Sequence, residues 1–228
     1  DSKPIEQLEG IDELKKICAK IETGRHSKEV FMNADLIVLS PGVPPTIKPL
    51  QDAKDAGIEI ISEIELACDF IDTPIIAITG TNGKTTTTTL LGKVLNSAGR
   101  KAFVGGNIGT PLIDYASKLV PAVIKRGKVQ VSNLNQQAEY VVAEISSFQL
   151  EGIKKFKPFI SILLNITEDH MDRYKDFNEY VEAKFNIFKN QGENDIAIVN
   201  IDDPTIKKWL KNNGTGFKAR LIPFSSKK

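Results

Sequence analysis

One stretch of this chain combines a strand, a short glycine-containing loop and a helix, and it constrains the fold more than any other part. The run Ile75–Ile78 is rich in β-branched apolar residues, which is typical of a buried strand. The loop TGTNGKTT follows from residue 79 to residue 86, and Thr86–Gly99 has the apolar spacing of a helix. Because a helix N-terminus attracts anions, this junction predicts an α/β fold with a phosphate-binding loop.

The residue types in this loop are those that bind a nucleoside triphosphate. We expect the Lys84 ammonium to reach the β- and γ-phosphates and the Thr85 hydroxyl to bind Mg²⁺. The predicted nucleotide contacts are Gly80, Thr81, Asn82, Gly83, Lys84, Thr85 and Thr86. The alternative is a glycine-rich turn with an exposed lysine, but the strand before it and the helix after it favour a nucleotide site.

The composition is that of a soluble globular protein, with 228 residues, 41% hydrophobic residues and a formal net charge of +1. That balance argues against general nucleic-acid binding, which usually requires a strongly basic domain. We predict a cytoplasmic protein, because there is no signal peptide and no apolar run of the roughly 18 residues that a membrane span needs. Cys18 and Cys68 lie in helix-like apolar patterns, so we expect two buried thiols and no disulfide.

Strands that alternate with short helices predict two α/β domains with mostly parallel sheets. Residues 1–73 are expected to be an incomplete Rossmann-like N-terminal domain, and residues 74–228 a P-loop-type ATPase domain. Pro74 marks the boundary, because proline cannot continue the helix predicted before it. The segment 121–138 has no clear periodicity, so we expect a surface insertion there, with a basic binding patch as the alternative.

Two further strands end in ionisable residues. Glu144 lies near the C-terminal end of the strand Tyr140–Ile145, at the edge where α/β sheets bind ligands. It could complete a Mg²⁺ shell with Thr85 and phosphate oxygens, or simply cap the following helix. The strand Phe159–Asn165 leads into a dense group of ionisable residues between residues 168 and 173. Within this group, His170 could bind a metal ion or a phosphate group.

The loop and four further blocks of sequence resemble one enzyme family. The loop is shorter than the general phosphate-loop pattern, because Ile78 stands where that pattern has a glycine. In the form TGTNGKT it resembles the Mur ligases of peptidoglycan synthesis and the related folylpolyglutamate synthases. The blocks SPGV (40–43), GGNIGTP (105–111), EISSFQL (144–150) and NITEDHMDRY (165–174) are similar to the Mur ligases that add D-glutamate.

This resemblance implies an activity and a set of site residues. The activity is ATP-dependent joining of D-glutamate to UDP-N-acetylmuramoyl-L-alanine through an acyl phosphate, by a monomer without nucleic acid or a membrane span. The implied catalytic residues are Lys84, His170 and Lys184. The implied ligands of two Mg²⁺ ions are Thr85, Glu144, His170 and Lys184, the last as a carbamate formed with CO₂. The implied contacts of the UDP-sugar are Ser40, Pro41, Gly42 and Asn107.

Three alternatives remain open at this point: another Mur ligase, a folylpolyglutamate synthase, or an ATP-binding module without ligase activity. The resemblance also implies that the start of the N-terminal domain and a whole C-terminal domain are absent from this sequence, whose first residue is Asp and not Met. We therefore expect a fragment that does not turn over by itself.

Overall fold

A computed structural model describes residues 3–8, 10–18, 20–119, 124–125, 128–129, 137–214 and 217–227. The chain forms two compact units, residues 1–61 and residues 62–228. The first unit contains α1 (Ile11–Ile17), α2 (Lys28–Met32), β1 (Leu36–Leu39), α3 (Lys48–Asp55) and all but the last residue of β2 (Glu59–Ser62). β1 and β2 pair as a two-stranded sheet, and α3 buries Leu50 and Ala53.

The two cysteines are free thiols, as predicted, but the predicted burial is wrong for Cys18, which is exposed. The helix α1 ends at Ile17, Cys18 has an extended backbone, and α1 buries only Ile11. The helix-like apolar pattern that predicted burial of Cys18 therefore extends beyond the helix that actually forms. Cys68 is partly buried, and burial, with help from nearby carboxylates, raises the pKa of its thiol to about 12.

The second unit is built around a six-stranded sheet. Its elements are α4 (Glu63–Cys68), β3 (Ile75–Thr79), α5 (Lys84–Ser97), β4 (Ala102–Gly106), α6 (Leu112–Leu119), β5 (Ile124–Lys125), β6 (Lys128–Val129), β7 (Tyr140–Glu144), α7 (Ser147–Leu150), β8 (Ile160–Leu163), α8 (Phe177–Phe185), β9 (Ile196–Asn200), α9 (Pro204–Asn213) and β10 (Arg220–Phe224). The strand order is β10-β9-β8-β3-β7-β4, and every neighbouring pair is parallel. The predicted α/β class with a mostly parallel sheet is confirmed.

The central strand β3 explains where the site lies. All five of its residues are buried, as expected for a parallel strand covered on both faces. Ile78 is paired with Glu144 of β7, and Thr79 is paired with Leu163 of β8. The carboxyl ends of three neighbouring strands therefore meet at one edge of the sheet, and the loop after β3 begins there.

The segment between residues 62 and 73 packs with the second unit. Ile64 and Ala67 of α4 belong to its hydrophobic core. Glu65 is only 3% exposed, and its carboxylate accepts hydrogen bonds from the backbone N–H groups of Lys155 (2.8 Å) and Phe156 (2.7 Å). The compact units thus divide between residues 61 and 62, whereas the boundary expected from Pro74 remains a prediction.

Most of the segment 121–138 lies outside the described residues, and so does the prediction of a surface insertion there. Within it, β5 and β6 form an antiparallel pair in which Ile124 is paired with Val129. Among the residues that the structure describes, no helix is long and apolar enough to cross a membrane.

Candidate active site

The loop between β3 and α5 directs the start of a helix toward the carboxyl edge of the sheet. Gly83 is the N-cap of α5, with a left-handed φ of 80° that glycine adopts without strain. The helix begins at Lys84, so the first backbone N–H groups of α5 have no acceptor within the helix. Together with the helix dipole, these N–H groups are suited to bind phosphate oxygens.

The side chain of Lys84 lies over this loop. Its Nζ donates to the backbone carbonyls of Gly80 (3.0 Å) and Thr81 (2.9 Å). Both acceptors are neutral, and an ammonium makes stronger hydrogen bonds to an anionic oxygen. A phosphate group at the loop would therefore compete well for Lys84, as the sequence predicts.

Lys184, on α8, is buried beside the same loop. Lys184 is only 2% exposed, and its Nζ donates to the carbonyl of Gly80 at 2.9 Å. The Nζ also lies 4.6 Å from the centroid of the Tyr180 ring. Burial first, and then the positive charge of Lys84, lower the pKa of Lys184 to about 7, while Asp169 acts in the opposite direction. A substantial fraction of Lys184 is therefore a neutral amine near neutral pH.

Glu144 lies at the end of β7, where it contacts two predicted site residues. It is 2% exposed. The Thr85 hydroxyl donates to its Oε2 at 2.7 Å, and the Asn107 side-chain amide donates to its Oε1 at 2.9 Å. A hydroxyl and a carboxylate next to a phosphate loop are the hard oxygen ligands that Mg²⁺ prefers. Thr85 and Glu144 thus fit one predicted Mg²⁺ site.

His170 is half-exposed, in the loop that follows β8. It is the only residue other than glycine with a positive φ (55°) among those described. Its ring centroid lies 4.8 Å from that of Phe148 and 6.3 Å from that of Tyr180. Within the described part of the chain, no hydrogen bond joins His170 to Thr85 or Glu144, and no group of three or more His, Cys, Asp or Glu residues is placed to hold a metal ion.

Comparison with known families gives this geometry a context. Residues 78–228 match the family model of the Mur ligase middle domain. The chain belongs to the Mur ligase family. Residues 2–62 match a second family model, that of the MurD-like N-terminal domain of Mur ligases.

Curated Mur ligases with similar sequences are much longer than this chain. The UDP-N-acetylmuramoylalanine--D-glutamate ligase of Geotalea daltonii is 48% identical over 222 residues, which cover 97% of this chain and 43% of the relative. The enzyme of the same name from Citrifermentans bemidjiense is 48% identical over 213 residues, covering 93% of this chain and 43% of the relative. This chain therefore spans less than half the length of these relatives.

Solved structures of Mur ligases share the fold. The UDP-N-acetylmuramate:L-alanyl-gamma-D-glutamyl-meso-diaminopimelate ligase from Neisseria meningitides superposes with a TM-score of 0.55 at 18% identity, covering 84% of this chain and 58% of that one. The murein peptide ligase of Psychrobacter arcticus superposes with a TM-score of 0.51 at 19% identity, covering 93% of this chain and 45% of that one. At these identities the likeness concerns the fold alone.

Sequence reasoning missed two residues of this candidate site. Tyr180 is 1% exposed, and its hydroxyl shares a 3.1 Å hydrogen bond with the Thr81 hydroxyl. It precedes Lys184 by one helical turn, so helix periodicity could have placed both on one face. Asn165 binds the backbone of Asn82, a contact for which no local pattern in the sequence is a signal.

The predicted UDP-sugar residues lie in both units. Ser40, Pro41 and Gly42 form a turn after β1, in which the Val43 N–H donates to the Ser40 carbonyl at 3.0 Å. Asn107, in the second unit, also donates its backbone N–H to the carbonyl of Glu144 at 2.8 Å. The structure thus gives Asn107 a contact with Glu144, while its binding of a UDP-sugar, like that of the turn, stays a prediction.

Proposed function

We propose that this chain is the nucleotide-binding part of a ligase that adds D-glutamate to UDP-N-acetylmuramoyl-L-alanine with ATP and Mg²⁺. The observation that carries the proposal is the 2.7 Å hydrogen bond from the Thr85 hydroxyl to the Glu144 carboxylate. Thr85 directly follows Lys84 in the first turn of α5. The substrates are inferred from the names of the curated relatives. In this proposal the reaction takes place in the cytoplasm, and the protein acts as a monomer without nucleic acid.

The proposed reaction activates a carboxylate, which is by itself a poor electrophile. The carboxylate of the UDP-sugar substrate attacks the γ-phosphate of ATP, and ADP leaves, so that an acyl phosphate forms. The amine of D-glutamate then attacks the acyl carbon, phosphate leaves, and the amine proton passes to solvent. Lys84 and the first N–H groups of α5 stabilise the negative charge that builds up on the phosphate oxygens.

In this proposal, Thr85 and Glu144 hold one Mg²⁺, and His170 and Lys184 contribute to a second. Bound Mg²⁺ would neutralise phosphate charge during the transfer. We also propose that the neutral amine of Lys184 adds to CO₂ and releases a proton to solvent, which gives a carbamate with an anionic oxygen ligand. The lowered pKa of Lys184, about 7, supports this step because CO₂ adds only to a neutral amine. A ¹³C carbamate signal from labelled bicarbonate should appear and should be absent from a Lys184→Met variant; its absence from the parent protein would refute the carbamate.

Replacement of Lys84 tests the proposed function. In the full-length ligase, Lys84→Ala should lower ATP-dependent acyl-phosphate formation by at least about a hundredfold, because the developing charge loses its cation. Lys93→Ala is the matched control, since Lys93 is an exposed lysine of the same helix. Phosphate release in the presence of both substrates measures the effect. Near-normal release by Lys84→Ala would contradict the role of Lys84.

A different Mur ligase activity is the second candidate, because the chain also shares its fold with murein peptide ligases. Phosphate release measured across a panel of amino acids and UDP-sugars would separate the two, and a preference for an amino acid other than D-glutamate would favour the second. We further propose that residues 1–228 alone bind nucleotide without turnover. D-Glutamate-dependent phosphate release from this chain would overturn that expectation.

A further inference from the structure

We propose that Asn165 is a positioning residue of the nucleotide site, because its side-chain amide holds the phosphate loop in place. Asn165 is the second residue after Leu163, the last residue of β8, at the carboxyl edge of the sheet. This inference rests on the proposed binding of a nucleotide, and it assigns Asn165 a role that acts through the backbone of Asn82.

The side chain of Asn165 forms two reciprocal hydrogen bonds with one residue of the loop. The backbone N–H of Asn82 donates to Asn165 Oδ1 at 2.8 Å. In return, Asn165 Nδ2 donates to the backbone carbonyl of Asn82 at 3.0 Å. A reversed amide would place like groups against each other on both sides, so the two bonds fix the orientation of the amide. The pair therefore holds both polar groups of the Asn82 backbone at once.

The residue before Asn82 is bound by the same segment. The Thr81 N–H donates to the carbonyl of Asn165 at 2.9 Å. The Thr81 hydroxyl accepts a hydrogen bond from the Thr167 N–H at 3.0 Å and shares another with Tyr180. Two consecutive loop residues are thus fixed by the chain that follows β8.

The loop also packs tightly against this segment. A Cβ atom on Gly80 would lie 3.1 Å from Cβ of Leu164 and 3.3 Å from the backbone nitrogen of Asn165. The loop therefore approaches the end of β8 more closely than a side chain on residue 80 would easily allow. This close approach brings Asn82 within reach of the short Asn165 side chain.

The segment that carries Asn165 is itself held from another element. The backbone N–H of Ile166 donates to Asp203 Oδ2 at 2.9 Å. Asp203 is the N-cap of α9, where its Oδ1 accepts from the Ile206 N–H at 2.9 Å, and it is 8% exposed. Hydrogen bonds therefore connect the loop, through Asn165 and Ile166, to the N-terminus of α9.

These contacts change how the loop can bind phosphate. The N–H groups of Thr81 and Asn82 already have acceptors, in Asn165. The backbone donors left for phosphate are then those at the N-terminus of α5, which have no acceptor within the helix. Since the loop is ordered before the nucleotide arrives, binding does not have to provide that ordering free energy.

Hydrogen exchange and nucleotide affinity together test the role of Asn165. In the 228-residue chain, Asn165→Ala should speed amide exchange at Asn82 by at least about fivefold, because the N–H loses its acceptor. It should weaken ATP·Mg²⁺ binding, measured by calorimetry, by at least about fivefold. Asn165→Asp keeps the acceptor for the Asn82 N–H, so exchange at Asn82 should stay near that of the parent chain.

Asn190→Ala is the matched control. Asn190 also donates its side-chain amide to backbone carbonyls, those of Lys154 (2.9 Å) and Phe156 (3.0 Å). The Asn190→Ala variant should lower the urea midpoint about as much as Asn165→Ala does. It should leave amide exchange at Asn82 and the affinity for ATP·Mg²⁺ unchanged.

Two results would overturn the positioning role of Asn165: unchanged exchange at Asn82 in Asn165→Ala, or faster exchange with unchanged ATP affinity. If the parent chain itself does not bind ATP·Mg²⁺, the proposed nucleotide site fails in this chain. The exchange rates at Asn82 would then still show whether Asn165 holds the loop.

Discussion

At the scale of single residues, two lysines converge on one backbone oxygen. Lys84 and Lys184 both donate to the carbonyl of Gly80, and the charge of Lys84 contributes to the lowered pKa of Lys184. A buried ammonium this close to a second one costs stability, since the interior offers little solvation. Burial of the Lys184 ammonium therefore lowers the free energy of unfolding. A residue that lowers stability is better explained by a role in the site than by a role in folding.

The pH dependence of stability should reveal this cost. The pKa of Lys184 falls from 10.5 to about 7 in the folded chain, so between these values the unfolded chain binds more protons than the folded one. Stability should therefore rise with pH across that interval, and the whole penalty should be present below it. Lys184→Met should lose this slope and be about 2 kcal/mol more stable near neutral pH, after allowance for the lost hydrogen bond.

Urea unfolding at a series of pH values measures this effect, with Lys208→Met as the control because Lys208 is an exposed lysine. If the stability of Lys184→Met changed with pH as steeply as that of the parent chain, the pKa of Lys184 would not be lowered in the folded chain.

At the scale of elements, the helix that follows the loop packs closely against β4. α5 starts at Lys84, earlier than the Thr86 expected from apolar spacing, because polar residues of the first turn carry no hydrophobic signal. Gly92 of α5 is buried against β4, and a Cβ atom there would lie 2.2 Å from Cγ2 of Val104. The absence of a side chain at residue 92 thus allows the helix to approach the sheet.

Gly92→Ala should destabilise the chain by about 1–3 kcal/mol through overpacking, although alanine is favoured over glycine by about 1 kcal/mol in a helix interior. Adding Val104→Ala removes the Cγ2 atom that causes the overlap, so the double variant should recover much of the lost stability. Urea unfolding in a double-mutant cycle measures the coupling. A stabilising Gly92→Ala would show that propensity outweighs packing at this position.

At the scale of the whole molecule, the chain divides at a place that a proline did not indicate. Pro74 precedes the strand β3, but α4 contributes Ile64 and Ala67 to the core of the second unit. The carboxylate of Glu65 also accepts two backbone N–H groups there. The compact units therefore divide before α4, while the domain boundary expected from Pro74 stays a prediction.

Two shortened chains would locate the boundary. A chain that begins at Ser62 should unfold cooperatively, because it retains all the core contacts of α4. A chain that begins at Pro74 should be at least about 3 kcal/mol less stable, since it exposes core and leaves the Lys155 and Phe156 N–H groups without their carboxylate. Urea unfolding compares them, and equal stability of both chains would support a boundary at Pro74.

The sequence by itself determined the strand-loop-helix element around Lys84, the parallel sheet and the membership of the Mur ligase family. The residues that carry these features, such as Gly80, Gly83 and Lys84, are neighbours in the chain, so spacing and local propensity are enough to identify them. Only the tertiary structure decided which groups meet at the loop. Asn165 lies 83 residues from Asn82, and Lys184 lies 104 residues from Gly80. Contacts over such separations form because parallel strands end at a common edge, which no local pattern specifies.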